Sequence, residues 1–299
     1  MHTESRPLDD FMKRAAPIAA LFLLWVTFAT AQEHATKGLV LSVDRVHHQF
    51  VVSCDPVAGY MDAMDMSLAV QDDTELDVLK PGTIIRFTIV EHGQTALAKN
   101  IEPVANFEPE PAEAGSLSAL NSAVGPQAVT PPITIGQAIP DFTLTDQAGR
   151  RVSLSQFRGK VVALTFGYSR CPNPNYCFRL SRNLEQVQKR FHRRAGRDLV
   201  LVTIAIDPEF DQGAALARYA KSFGASAESW HFLTGSVIQI RQVAGMFGMN
   251  FWNTEGLLTH TLHTVVIDRQ GRLAANIDGN QFSAQQLGDL VNTALNGPV

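Results

Sequence analysis

The sequence predicts two folded modules of different class, a small all-β barrel followed by an α/β domain. Three observations carry this. Short β-rich runs separated by turn residues fill residues 37–103, the pattern of a small barrel or sandwich. A stretch rich in Pro, Ala, Ser and Glu, without a sustained apolar period, interrupts the chain over 104–136 and reads as a linker. From residue 137 to 299, continuous apolar runs alternate with helical periods.

The chain of 299 residues is long enough for two domains, and 45% hydrophobic against 18% charged residues can build real cores. Twenty-five Lys and Arg against 29 Asp and Glu give a net charge of −4 with no basic block, so no nucleic-acid partner is expected. At the start, Lys13-Arg14 precede the apolar stretch AAPIAALFLLWVTF, and Ala29-Thr30-Ala31 follow it. Residues 1–31 therefore read as a secretory signal peptide or, uncleaved, as an inner-membrane anchor. The rest of the chain is expected in an exported, periplasmic compartment, with membrane association only through this segment.

In the first module, GLVLSVD (Gly38–Asp44) and QFVVSCD (Gln49–Asp55) are strands joined by the polar turn Arg45–His48. MSLAV (Met66–Val70) follows, then TIIRFTIV (Thr83–Val90) after Lys80-Pro81-Gly82, and ALAKNIEP closes an OB-like barrel. In the second module, DFTLTD and RRVSL form a hairpin around Gln147-Ala148-Gly149. KVVALTFGY (Lys160–Tyr168) and DLVLVTIAID (Asp198–Asp207) read as buried strands, and helices are expected over Phe178–His192 and Gly213–Phe223. TLHTVVID and RLAANID make a late hairpin, and Ser283–Leu295 ends the chain as an amphipathic helix. This order of elements is that of a thioredoxin-like fold.

Three cysteines are too few for a disulfide scaffold. Cys171 and Cys177 lie where a buried strand gives way to a helix, a position that favours thiolate, which is both metal ligand and redox nucleophile. Metal binding, disulfide exchange and a plain structural disulfide are all open to this pair. Thioredoxin-type redox centres separate their cysteines by two residues. Here five intervene, Pro172–Tyr176, enough to place two sulfurs around one ion. His260 is the candidate third ligand, just before a strand that should lie near the central one. His263, three residues on, points to the opposite face of a regular strand.

The leftover Cys54 stands in SCDPVAGYMDAMDMSLAV, which gathers Met61, Met64 and Met66 from a chain with seven methionines. Met64 and Met66 share a strand face, and Cys54 ends the neighbouring strand. Thioether and thiolate are soft donors that select Cu(I) or Ag(I). The alternative, methionine filling an irregular core, sits poorly with Asp62 and Asp65 between them.

Residues 137–299 resemble the Sco/SenC family of copper chaperones. The resemblance runs through GQAIPDFTLTDQAGRRVSLSQFRGKVVALTFGYSRC, IAIDPEFDQGAALARYA, WHFLTG and the late histidine before VVIDRQGRL. It implies a thioredoxin-like fold, copper as cargo, and Cys171, Cys177 and His260 as its ligands. It further implies assembly of the dinuclear copper centre of cytochrome c oxidase or a similar respiratory enzyme. The partners would then be a copper-accepting oxidase subunit and a thioredoxin-like reductant. Residues 37–103 resemble the small CusF-like copper-binding barrel. There Cys54 stands in the place of a histidine, Met61 lies near that of an aromatic, and DAMDM replaces the two-methionine segment. The rival reading is an enzyme, a thiol-disulfide reductase or thiol peroxidase using Cys171 and Cys177 as a redox pair.

Overall fold

The computed structural model describes residues 33–92, 95–104, 131–254 and 257–297. The expected signal peptide or anchor and most of the expected linker lie outside the described residues. Among the described residues, no helix is long and apolar enough to cross a membrane.

The first module is a closed barrel. Strands β1 (Glu33–Asp44), β2 (Gln49–Cys54), β3 (Met64–Val70), β4 (Ile84–His92) and β5 (Thr95–Pro103) close in the order β1-β2-β3-β5-β4. β3 and β5 run parallel, and the other neighbours are antiparallel, as in the five-stranded OB fold. Closure leaves no long unpaired edge. Phe50, Val52, Leu68, Ile85, Phe87 and Ile89 fill the interior, with Phe50 and Phe87 edge to face at 6.3 Å. A register shift between Val40 and Ser42 bulges β1. Val40 stays inside the barrel, while Leu39 and Leu41 pack outward into the neighbouring module's core. Burial on both sides of this wall explains why GLVL reads as unbroken apolar sequence.

The second module is thioredoxin-like. Its sheet runs β14-β13-β8-β9-β10-β6-β7. The strands are β6 (Thr143–Asp146), β7 (Arg151–Ser153), β8 (Val161–Gly167), β9 (Leu199–Ala205), β10 (Trp230–Thr234), β13 (His263–Ile267) and β14 (Leu273–Asp278). β8, β9 and β10 are parallel, and β13 joins β8 antiparallel. β8 and β9 are buried along their whole length. Helices α1 (Arg179–Arg190), α2 (Gly213–Ser222), α3 (Val237–Met246) and α4 (Ala284–Asn296) complete the layers. Between Phe223 and Thr261, where no sequence pattern predicts an element, the structure has β10, α3 and a hairpin of β11 (Phe251–Thr254) and β12 (Leu257–His260). In α3, the exposed Val237 and Ile238 blur the apolar stripe that marks a helix in sequence.

The sequence suggests two modules on a flexible tether, but the structure docks them, and the described residues of the two modules belong to one compact unit. α4 lies along β1 and β2. Gln286 Nε2 donates to Ser53 O at 3.1 Å and to Asp55 Oδ1 at 3.0 Å. Ser53 Oγ donates to Asp289 Oδ2 at 2.7 Å, and Arg190 pairs with the other oxygen of Asp289 at 2.6 Å. Leu39, Leu41 and Ile84 share one apolar cluster with Leu287, Leu290 and Val291. Gly82 has φ +94°, and a Cβ there would stand 2.8 Å from Asn276 O, so this turn of the barrel needs glycine. The last residues of the stretch read as linker are pinned to the second module: Ile133 N–H donates to Met246 O at 2.8 Å and Gly136 N–H to Leu273 O at 2.7 Å.

Candidate metal centres

In the second module the cysteines sit at the carboxyl end of β8, where open α/β sheets place their sites. Past Gly167 the chain makes a turn held from the segment after β9. Ser169 N–H donates to Asp211 Oδ2 at 2.9 Å, Ser169 Oγ donates to the other Asp211 oxygen, and Arg170 Nε donates to Asp207 Oδ2 at 3.0 Å. Asn173 then caps a wide π-type turn, Pro174–Phe178, accepting from Asn175 N–H at 2.9 Å. Tyr176 leaves helical geometry inside this turn (φ −101°, ψ −108°). The widened turn absorbs the residues between the cysteines and swings Cys177 back over the end of β8. A Cβ on Gly167 would lie 3.3 Å from Cys177 Cβ and 3.8 Å from its Sγ. Glycine at the strand end therefore lets the thiol pack down.

His260 arrives from β12, immediately before β13. Its Nε2 is 3.2 Å from Cys177 Sγ, and its Nδ1 is 2.8 Å from Thr261 O. A carbonyl can only accept, so Nδ1 carries a proton and Nε2 faces the sulfur. With bonds like those of a zinc site, about 2.3 Å to sulfur and about 2.0 Å to nitrogen, two tetrahedral ligands of one ion stand about 3.5 Å apart. The Cys177–His260 spacing is close to that.

The two thiols differ. The hydrogen bond from Cys177, helped by His260 and opposed by burial, holds Cys171 down to about 4. Cys177 is pushed well above the ordinary thiol value by that same bond to Cys171 and by burial. Cys171, partly exposed, is the thiolate, and buried Cys177 keeps its proton. Tyr168 donates its hydroxyl to Leu258 O at 2.8 Å and presents its ring edge-on to His260, with centroids 6.0 Å apart. His263 is engaged elsewhere: its Nδ1 bonds Asn276 Oδ1 at 3.0 Å. No sequence pattern predicts a role for Asp207 and Asp211, although both lie in the segment IAIDPEFDQ. A buried acid following a strand end was the available signal.

In the barrel, β2 and β3 pair so that Cys54 lies opposite Met64 and Val52 opposite Met66. Directly opposed residues share a face, so one thiol and two thioethers meet at one mouth of the barrel. Met61 is brought back by a bridge to Val57 and packs, with Met66 and Tyr60, against the core that contains Cys54. Met64 is 48% exposed and Cys54 is 1% exposed, so the cluster grades from solvent to interior. Burial, then the charges of Asp55 and Asp65, push the Cys54 thiol up to about 12. Among the described residues, no three His, Cys, Asp or Glu side chains are already gathered as a metal cage. The barrel's candidate donors are mainly thioethers, and those of the second module are two cysteine sulfurs and an imidazole.

Residues 33–103 match the family model described as copper binding periplasmic protein CusF. Among curated relatives, the chain is 30% identical to the mitochondrial SCO2 homolog of Homo sapiens over 52% of this chain and 59% of that protein. It is 27% identical to the SCO1 homolog of Bacillus subtilis over 41% of this chain and 61% of that one. The matches thus span about three fifths of those relatives. Among solved structures, copper-bound ScoI of Arabidopsis thaliana is 26% identical over 52% of this chain and 96% of that one, with a TM-score of 0.45. The SCO1/SenC model matches residues 133–295, which include the whole thioredoxin-like sheet, both cysteines of the strand-end turn and His260, and the chain belongs to the SCO1/SenC family.

Proposed function

We propose that this protein is an exported copper carrier with two soft-metal sites. On this reading it supplies copper for the dinuclear centre of cytochrome c oxidase or a similar respiratory enzyme, handing it to a copper-accepting subunit. The observation that carries the reading is the 3.2 Å contact of Cys177 Sγ with His260 Nε2, beside the Cys171 thiolate. Two sulfurs suit Cu(I), and the imidazole extends the set to Cu(II). Support for copper in the barrel comes from the CusF match and from the register that puts Cys54 and Met64 face to face. Metal loading on the second module displaces the Cys177 proton, so uptake releases acid.

The lowered Cys171 beside protonated Cys177 also favours a thiol-disulfide role. The two roles are exclusive at any instant: a Cys171–Cys177 disulfide leaves no thiolate for copper, so a thioredoxin-like reductant must act before loading. Anaerobic Cu(I) titration of reduced and oxidised protein tests the proposal. The expected result is two equivalents on the reduced chain and one, held by the barrel, on the oxidised chain. His260→Ala should weaken Cu(II) more than Cu(I). Equal uptake by both redox forms, or an unchanged Cu(II) spectrum in His260→Ala, overturns the second-module assignment.

A further inference from the structure

The barrel mouth holds a donor that the sulfur cluster does not include. His34 lies near the start of β1, in unbroken register with β4: His34 opposes Ile89, Thr36 opposes Phe87 and Gly38 opposes Ile85. Those three partners belong to the barrel core, so His34 lies on the barrel-lining face. It stands toward the same end as the sulfurs, because Gly38 pairs with Cys54 and Cys54 with Met64. Thr36 Oγ1 donates to Asp55 O at 3.2 Å, tying this end of β1 to the residue after Cys54.

The His34 ring stacks flat on Tyr60, with centroids 3.7 Å apart and planes 9° from parallel. Tyr60 donates its hydroxyl to Glu91 Oε1 at 2.7 Å, so its side chain spans the mouth from the β2–β3 loop to β4. Met61 is its chain neighbour, and both pack on the core that contains Cys54. His34 Nε2 is buried and has no hydrogen-bond partner. Buried polar atoms are almost always bonded, so an orphan at a mouth lined by metal-binding side chains needs an explanation.

We infer that His34 is a further ligand of the barrel's soft-metal site, with Tyr60 as the residue that positions its ring. The inference rests on the copper reading of the barrel. Nε2 adds a neutral nitrogen to the thioethers of Met61, Met64 and Met66 and the sulfur of Cys54. That set suits Cu(I) or Ag(I) and is unsuited to hard, oxygen-seeking cations. The stack fixes the imidazole plane before metal arrives, which lowers the ordering cost of binding. A histidine that merely filled the mouth would not respond to the metal.

The test uses the full chain carrying Cys171→Ser, Cys177→Ser and His260→Ala, which leaves the barrel as the copper site. Anaerobic Cu(I), competed against a chromophoric chelator, is titrated with and without His34→Gln. The parent should bind one equivalent, and His34→Gln should weaken it by at least about 10-fold, the lower end of what loss of even an outer-shell partner costs. In the unsubstituted chain, the 15N resonance of His34 Nε2 should move when Ag(I) is added, a readout that decides the matter even if a variant folds poorly. Parent-like affinity in His34→Gln, or a His34 resonance that Ag(I) leaves in place, overturns the ligand role and leaves the barrel site standing. A parent that takes up no Cu(I) overturns the copper reading of the barrel and the role of His34 with it.

Discussion

The two candidate centres of this protein are built from similar atoms in opposite ways. The barrel's sulfurs come from one stretch, Cys54 to Met66, and a strand register brings them together. The second module's candidate donors come from the end of β8 and from β12, more than eighty residues apart, and meet only through the sheet. Their chemistry differs as well. The barrel has one thiol, held protonated by burial, and thioethers that have no proton to lose. The second module has a thiolate next to a thiol. On the proposed function, the barrel holds copper whatever the redox poise, and the second module holds it only when reduced. A soft-metal site can thus be made redox-indifferent or redox-gated by the choice of a second thiol over thioethers.

The largest expected contrast is in thiol reactivity. Thiolate is the nucleophile, and Cys171 with a value of about 4 is fully ionised at pH 6, whereas Cys54 near 12 is almost wholly protonated there. Iodoacetamide at pH 6 should label Cys171 in the folded chain at least about a thousandfold faster than Cys54, read by peptide mass spectrometry. Labelling of Cys171 should fade only as the pH falls through about 4. Comparable rates for the two would erase the distinction between the centres.

Removal of either second-module sulfur should cost a whole copper equivalent. Cys177→Ser leaves one thiolate and one imidazole, too few for tight Cu(I), and the anaerobic stoichiometry of the reduced chain should fall from two to one. Loss of both equivalents would mean that the centres are not independent.

The double replacement Met64→Leu, Met66→Leu probes the barrel in the same way. Leucine keeps volume and apolarity but offers no lone pair, so Cu(I) binding by the barrel should vanish. Each swap should cost less than about 1.5 kcal/mol of stability in thermal unfolding. Unaltered stoichiometry would return these residues to the role of core filling.

The smallest effect concerns the seam between the modules. Asp289→Ala removes the acceptor shared by Ser53 and Arg190. Ser53 is fully buried and Arg190 is partly in solvent, so the loss should be about 1–3 kcal/mol. It should appear as a lower thermal midpoint with copper stoichiometry unchanged. The seam also carries a titrating group: burial, then the facing Asp289 carboxylate, raise Asp65 to about 6.

Much of the fold was legible because it is locally encoded. Alternation in MSLAV, the β-rich apolar run GLVL, the continuous apolar runs of β8 and β9 and the amphipathic α4 each carry their own local signal. The sulfur cluster of the barrel was legible for the same reason, since a strand face and its neighbour are set by parity. The region from β10 through β12 was not legible. Its elements are short, and they depend on pairing with β9 and β6 or on packing of α3 that leaves Val237 and Ile238 outside.

By itself the sequence determined the two module classes and pointed to soft metal, because residue type and short-range period suffice for these. Tertiary structure decided the rest. It put β12 against Cys177, so that His260 meets the sulfur, and turned His263 to Asn276. It used a π-type turn to take up the wide cysteine spacing and split the two thiols into thiolate and thiol. It brought Asp211 to Ser169, and it docked α4 on the barrel where a loose tether was expected. Each of these rests on contacts between residues far apart in the chain, whose spacing and burial no local pattern encodes.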